Sequence, residues 1–127
     1  MALTLEPVAG EFAVCRLPPD AAIPAWAGSG AFNAITRTVD ELSIVCPAAA
    51  VPAGIRAARG WRLLKVAGPL DLGAVGVLAS ITAPLAAAGI SLLAVGTFDT
   101  DYVLVKAARF DDALRMLAAA GHRVPRG

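Results

Sequence analysis

Two carboxylates, Asp99 and Asp101, stand two residues apart just beyond an uncharged, glycine-containing stretch that starts at Leu72. Residues of these types at this spacing fit a binding site. Backbone amides near Ala74 to Val77, at the start of a helix, attract an anion, and Gly73 and Gly76 let a ligand approach the backbone closely. Asp101 is then placed to hold an ammonium group by a charge-assisted hydrogen bond, and Thr97 and Thr100, on either side of Phe98 and Asp99, add hydroxyls. Acid–base work by the carboxylate pair is the other chemistry open to them, and it needs a regular strand to bring residues two apart onto one face. A third reading is purely local: the two acids serve a turn, and Gly76 allows close helix packing.

Other catalytic equipment is missing from the sequence. Gly68-Pro69-Leu70-Asp71-Leu72-Gly73 opens like a phosphate-binding loop, but Ala74 and Val75 stand where a lysine and a hydroxyl residue must hold phosphate and magnesium. There is no G-x-G-x-x-G and no G-x-S-x-G. The single histidine, His122, follows the helix-ending Gly121 and is expected to face terminal carbonyls rather than do chemistry. Cys15 and Cys46 are too far apart for a C-x-x-C pair, and each sits in an apolar run, so buried free thiols are expected in preference to a disulfide. The expectation is no catalytic residue, no metal ligand set and no cofactor, hence not an enzyme.

These residues need elements to position them. The pattern over 61–106 predicts a strand at 61–67, a turn at Gly68-Pro69, and a helix from an Asp71 N-cap to Ala88, stopped by Gly89. Val75, Leu78, Ile81, Thr82 and Leu85 form its buried face, and Pro84 predicts a kink. Strands at 90–97 and 102–106 follow, then a helix at 110–120 burying Phe110, Leu114 and Leu117. The first half repeats the plan more faintly: a strand at 11–17, a short proline-interrupted helix reaching Trp26, a hairpin of 32–38 and 42–46, and a short helix near 53–58. Two units, 1–60 and 61–127, are expected. Laying residues 36–45 on 96–105 sets Glu41 opposite Asp101 and yields a counterpart set, Thr36, Glu41 and Ser43.

Composition narrows the partners. Of 127 residues, 57% are apolar, enough for a core, and a net charge of +1 leaves no basic footprint for nucleic acid or an anionic membrane. The charge-free run between Asp71 and Asp99 is long enough to span a bilayer, yet Pro84, Gly89 and its alanine-rich character argue for a buried helix followed by a buried strand. The opening MALTLEPVAGEF has no basic segment ahead of an apolar one, so a cytoplasmic location is expected.

Gly76-Val77-Leu78, Ala83-Pro84-Leu85-Ala86, Ala88-Gly89-Ile90-Ser91 and Thr100-Asp101-Tyr102-Val103-Leu104-Val105, with Thr36-Arg37-Thr38 and Asp40-Glu41-Leu42-Ser43 upstream, resemble the bacterial proteins built from two ACT domains in tandem. These are relatives of the animal cytosolic arginine sensors and, more distantly, of aspartate kinase regulatory regions. The resemblance runs from about Glu11 to Val124. It implies an α+β fold of two ferredoxin-like βαββαβ units, antiparallel sheets with helices on one face, and a small effector, usually an amino acid, bound at the junction between units. Carried over, the ligand loop is Leu72 to Leu78, with Leu72, Gly73, Gly76, Val77 and Leu78 as candidates, and the acid is Asp101; the turn residues Thr97, Phe98 and Thr100 join the candidate set beside it. Ala74 stands where the sensors have an acid, which detaches the reading from arginine itself. Two functions follow as expectations: an amino-acid-binding regulatory protein acting through a homodimer or a partner chain, or an assembly module without a ligand.

Overall fold

The computed structural model describes residues 1–125. Its strands are β1 (Leu5–Leu17), β2 (Ala34–Arg37), β3 (Leu42–Pro47), β4 (Arg56–Val66), β5 (Leu92–Gly96) and β6 (Asp101–Lys106); its helices are α1 (Val77–Ala87) and α2 (Phe110–Ala119). The hydrogen-bonded strand order is β2-β3-β1-β4-β6-β5. Two compact units share this α+β fold. One is Gly10–Trp61; the other is Met1–Ala9 with the chain from Arg62 onward. Residues 1–9, which the repeat assigns to the first half, thus group with the second.

In the Gly10–Trp61 unit, β3 pairs antiparallel with β1 (Cys15 opposite Ile44, Ala13 opposite Cys46) and with β2 (Thr36 opposite Ser43). Alternation puts Leu42, Ile44 and Cys46 of β3 on the same side as Ala13 and Cys15 of β1, and these bury together with Ala27, Ala48 and Val51. Both thiols are free and buried. The sequence-based helices fail here. Up to Trp26 there is just a 3₁₀ turn, Ala25–Gly28, because Pro18, Pro19 and Pro24 each remove an amide donor that a helix would use. Residues 53–58 form no helix either. The chain turns at Gly54 (φ +90°) and is already extended in β4 from Arg56. Arg59 fixes that choice, its guanidinium donating to the carbonyls of Ala48 (3.0 Å) and Val51 (3.2 Å).

In the other unit, both helices cover one face of the sheet. Leu64 and Val66 of β4 and Val103 and Val105 of β6 meet Ile81 and Leu85 of α1 and Phe110, Ala113 and Leu117 of α2. Each helix ends in the same device. After α1, Ile90 N–H donates to Leu85 O (2.9 Å) and Gly89 N–H to Ala86 O (3.0 Å), with Gly89 at φ +71°. After α2, His122 N–H donates to Leu117 O (3.1 Å) and Gly121 N–H to Ala118 O (3.0 Å). These are Schellman closures, and their left-handed position is why glycine stands there.

α1 begins at Val77, six residues after the expected Asp71 cap. Asp71 instead folds its own loop, its carboxylate accepting from Gly73 N–H (2.9 Å) and its carbonyl from Ala74 N–H (2.9 Å), and this local turn competes with helix initiation. The helix then runs on through Pro84 to Ala87. Proline has no N–H to give Ser80 O four residues back. His122 Nε2 lies 2.8 Å from that carbonyl, while its Nδ1 accepts from Leu3 N–H at 3.1 Å. Since Nδ1 accepts, the ring proton sits on Nε2 and is donated to Ser80 O. The histidine expected to serve α2's own carbonyls therefore serves the one that Pro84 leaves open in α1.

Candidate functional site

A surface depression of about 100 Å³ lies between the loop that leads into α1 and the β5–β6 turn. Leu70, Asp71, Leu72, Ala74 and Val77 form one side, and Thr97 through Asp101 the other. The turn is built by its threonines. Thr97 N–H donates to Thr100 O (2.8 Å), Thr97 Oγ1 donates to the same carbonyl (2.8 Å), and Thr100 N–H donates to Thr97 Oγ1 (3.2 Å). Thr100, only 5% exposed, anchors the turn by donating its hydroxyl to Val66 O of β4 (2.6 Å). Both hydroxyls are thereby engaged in the scaffold, so these two residues position the neighbouring acids.

The loop is tied to that turn directly. Leu70 N–H donates to Asp99 O at 2.7 Å. A Cβ on Gly68 would stand 3.1 Å from Asp99 O and 3.2 Å from Thr100 Cβ, so any side chain there would push the turn back by a few tenths of an ångström, and glycine lets the crossing stay close. Three carboxylates, Asp71, Asp99 and Asp101, line the depression, and its lining includes no basic residue. Its potential favours a cation. At its edge, α1 starts from Gly76 (φ +84°) with no side-chain cap; its first helical hydrogen bond, Ser80 N–H to Gly76 O (3.0 Å), leaves the amides of Val77, Leu78 and Ala79 free of intrahelical partners. Anionic and cationic attractions thus lie side by side. Leu72 (69% exposed) and Phe98 (79% exposed) lend two apolar side chains at the rim.

Of the residues expected from sequence, the depression gathers Leu72, Val77, Thr97, Phe98, Thr100 and Asp101; Gly73, Gly76 and Leu78 belong to the same loop and helix start but are outside its lining. A Cβ on Gly76 meets nothing within 4 Å, so a larger residue there would strain the backbone rather than fill the pocket. Sequence reasoning passed over Leu70 and Asp71 as lining residues. It also passed over Lys65, which with Gly68, Pro69, Asp99 and Thr100 lines an adjoining depression of about 260 Å³. A lysine within the apolar strand Trp61-Arg62-Leu63-Leu64-Lys65-Val66 was the available signal.

Thr36, Glu41 and Ser43 lie on the hairpin of the Gly10–Trp61 unit. Register corrects their match to the second hairpin. Thr38 N–H donates to Glu41 O (2.9 Å) as Thr97 N–H does to Thr100 O, and Arg37 pairs with Leu42 as Gly96 pairs with Asp101. Glu41 therefore corresponds to Thr100, and the fully buried Leu42 to Asp101. A slip of one residue exchanges the two faces of a strand, which is why polar-turn matching in sequence misaligned them.

A profile of the ACT domain matches residues 56–119. This chain belongs to the ACT-domain family. A different profile, that of an N-terminal domain, matches residues 10–54, so the ACT match itself falls on the part of the chain that holds the depression. The crystal structure of protein Atu0741 from Agrobacterium tumefaciens is similar at 38% identity over 98% of this chain and 93% of that one, with a TM-score of 0.94. Protein VC0802 from Vibrio cholerae is 24% identical over 94% of this chain and 91% of that one, with a TM-score of 0.77. The regulatory subunit of aspartate kinase from Thermus thermophilus, in ligand-free form, shares the fold at 13% identity, covering 87% of this chain and 91% of that one, with a TM-score of 0.60. Among curated proteins there is no match. Membership in the ACT family suggests a regulatory, small-molecule-binding role for this ACT protein. No helix among the described residues is long and apolar enough to cross a membrane.

Proposed function

We propose that this ACT protein is a non-catalytic sensor of a small amine-bearing effector, most simply an amino acid, and that it acts on another chain. The observation that carries the proposal is the depression lined by Asp71, Asp99 and Asp101 beside the uncapped start of α1. Asp101 pairs the ligand's ammonium, and the Gly76 and Val77 amides meet its carboxylate. At about 100 Å³ the depression holds the volume of roughly three waters, enough for a charged head group. The remainder of the ligand lies against Leu72 and Phe98. The resemblance to arginine sensors supports an amino acid, and Ala74 in place of an acid favours one other than arginine.

A thermal-shift screen of the amino acids against the whole chain tests this. A ligand at a hundred times its Kd stabilises by about 2.7 kcal/mol, a rise in Tm on the order of 10 °C for a chain of this size. Absence of any shift at millimolar ligand would favour the second reading, a ligand-free assembly module. That reading has its own support in the uncharged surface between Leu72 and Phe98.

A further inference from the structure

Lys65 puts a charge into an otherwise apolar part of β4. It stands between Leu64 and Val66, both fully buried on the helix face, so alternation turns it to the opposite face together with Leu63, which is fully buried as well. Lys65 itself is half-buried. Lysine is seldom drawn out of water unless a carboxylate pairs it, yet among the described residues Lys65 has no ion-pair partner, Asp112 being the acid that takes Arg109 and Arg115. What it faces is the depression of about 260 Å³ that it lines with Gly68, Pro69, Asp99 and Thr100. The Thr100 hydroxyl is already given to Val66 O. Lys65 therefore brings the one uncommitted side-chain donor to this lining. The contrast with the depression beside α1 is one of charge, since three carboxylates and no base line that one, and Asp99 is common to both.

We propose that the Lys65 depression is a second ligand site, separate from the amine site, and that it takes a small monocarboxylate on the Lys65 ammonium with the ligand's short apolar body against the Pro69 ring. Charge selects that class. The ammonium holds a carboxylate by a charge-assisted hydrogen bond, but one lysine balances one negative charge, and a dianion such as hydrogen phosphate would bring a second into the field of Asp99, Asp71 and Asp101. Size agrees. An apolar cavity of roughly 150 Å³ holds benzene, so a depression of about 260 Å³ accommodates an acid of a few carbons. Cations are drawn to the adjoining depression, where Asp99 stands with two further acids; the lysine is what this depression alone offers. The proposal does not depend on what fills the first depression.

Amide NMR of the whole chain, titrated with sodium propionate and, at matched ionic strength, with sodium chloride, is the test. The expected result is a saturable shift of the Lys65, Gly68 and Thr100 amides with a midpoint on the order of millimolar propionate, and no such shift with chloride. Lys65→Met keeps the stem without the charge and should weaken propionate about tenfold or more, while Lys65→Arg keeps the charge and should stay within about threefold of wild type. Asp99→Asn removes the acid common to both depressions and should tighten propionate about two- to fivefold. Shifts that fail to saturate, equal shifts with chloride, or propionate binding unchanged in Lys65→Met would each overturn the proposal. Tighter Lys65-dependent binding of alanine, the same acid with an ammonium added, would overturn it too. The wild-type comparison of propionate with chloride decides the matter should Lys65→Met fail to fold.

Discussion

The thiol of Cys46 is pushed up to about 11, first by burial and then by the neighbouring Cys15, whose own thiol burial also raises. An acid whose folded pKa lies above its unfolded one keeps its proton in the native state after the unfolded chain has lost it. Stability is therefore full below the ordinary thiol value near 9 and declines as pH rises from there through about 11. Urea titrations at pH 8 and pH 10.5 should show this decline, and Cys46→Ala should flatten it while costing some stability at both pH values. Asp101 obeys a different logic, since it is a half-buried acid at the mouth of an open depression. Asp101→Ala is expected to leave the melting temperature of the free protein within a degree or two and to weaken a screened ligand by roughly 10- to 100-fold, the loss of one charge-assisted hydrogen bond. Glu41→Ala serves as the control in the same calorimetry, because register places Glu41 with Thr100 and leaves Asp101 without an acidic counterpart in the first unit.

At the scale of elements, α1 shows which features of a sequence are legible and which are not. Its stop was readable, because Gly89 ahead of Ile90 has one physical use after an apolar helix. Its start was not: an aspartate followed by glycine can cap a helix or close a turn, and the choice depends on tertiary contacts such as Leu70 N–H to Asp99 O. Nor was the partnership of Pro84 and His122, two residues far apart in sequence that meet at a single carbonyl, that of Ser80. This partnership is measurable as a coupling. His122→Ala strands the part-buried Leu3 amide and the Ser80 carbonyl, so it should destabilise by about 1 to 3 kcal/mol. Pro84→Ala restores an amide that can reach Ser80 O. In that background the cost of His122→Ala should fall by about 1 kcal/mol, read by a double-mutant cycle in urea. Additive losses would mean that the imidazole acts through Leu3 alone.

On the scale of the whole molecule, the sequence displayed two hairpins and one well-marked helical unit, and the structure has that hairpin in both units but α-helices in one. The first unit's cover is made by the 3₁₀ turns Ala25–Gly28 and Ala48–Ala50, which prolines and a single arginine specify and which no periodicity announces. What the second unit adds is a single uncharged stretch that contributes both to the depression, through Leu72, Ala74, Val77, Thr97 and Phe98, and to the open β5 edge. Two binding events on one stretch of chain are expected to be linked, and linkage is reciprocal. An effector that draws the Leu72 loop onto Asp101 steadies the turn that follows β5, and so favours the homodimer. Saturating ligand should then tighten self-association about fivefold or more, measured by sedimentation, and with one site per protomer the ligand affinity measured above the dimer Kd should exceed that measured below it by the square root of that factor. Factors above one that keep this square relation would identify a sensor whose output is dimerisation. Two factors of one would separate the depression from the edge and leave the regulated step to a different chain.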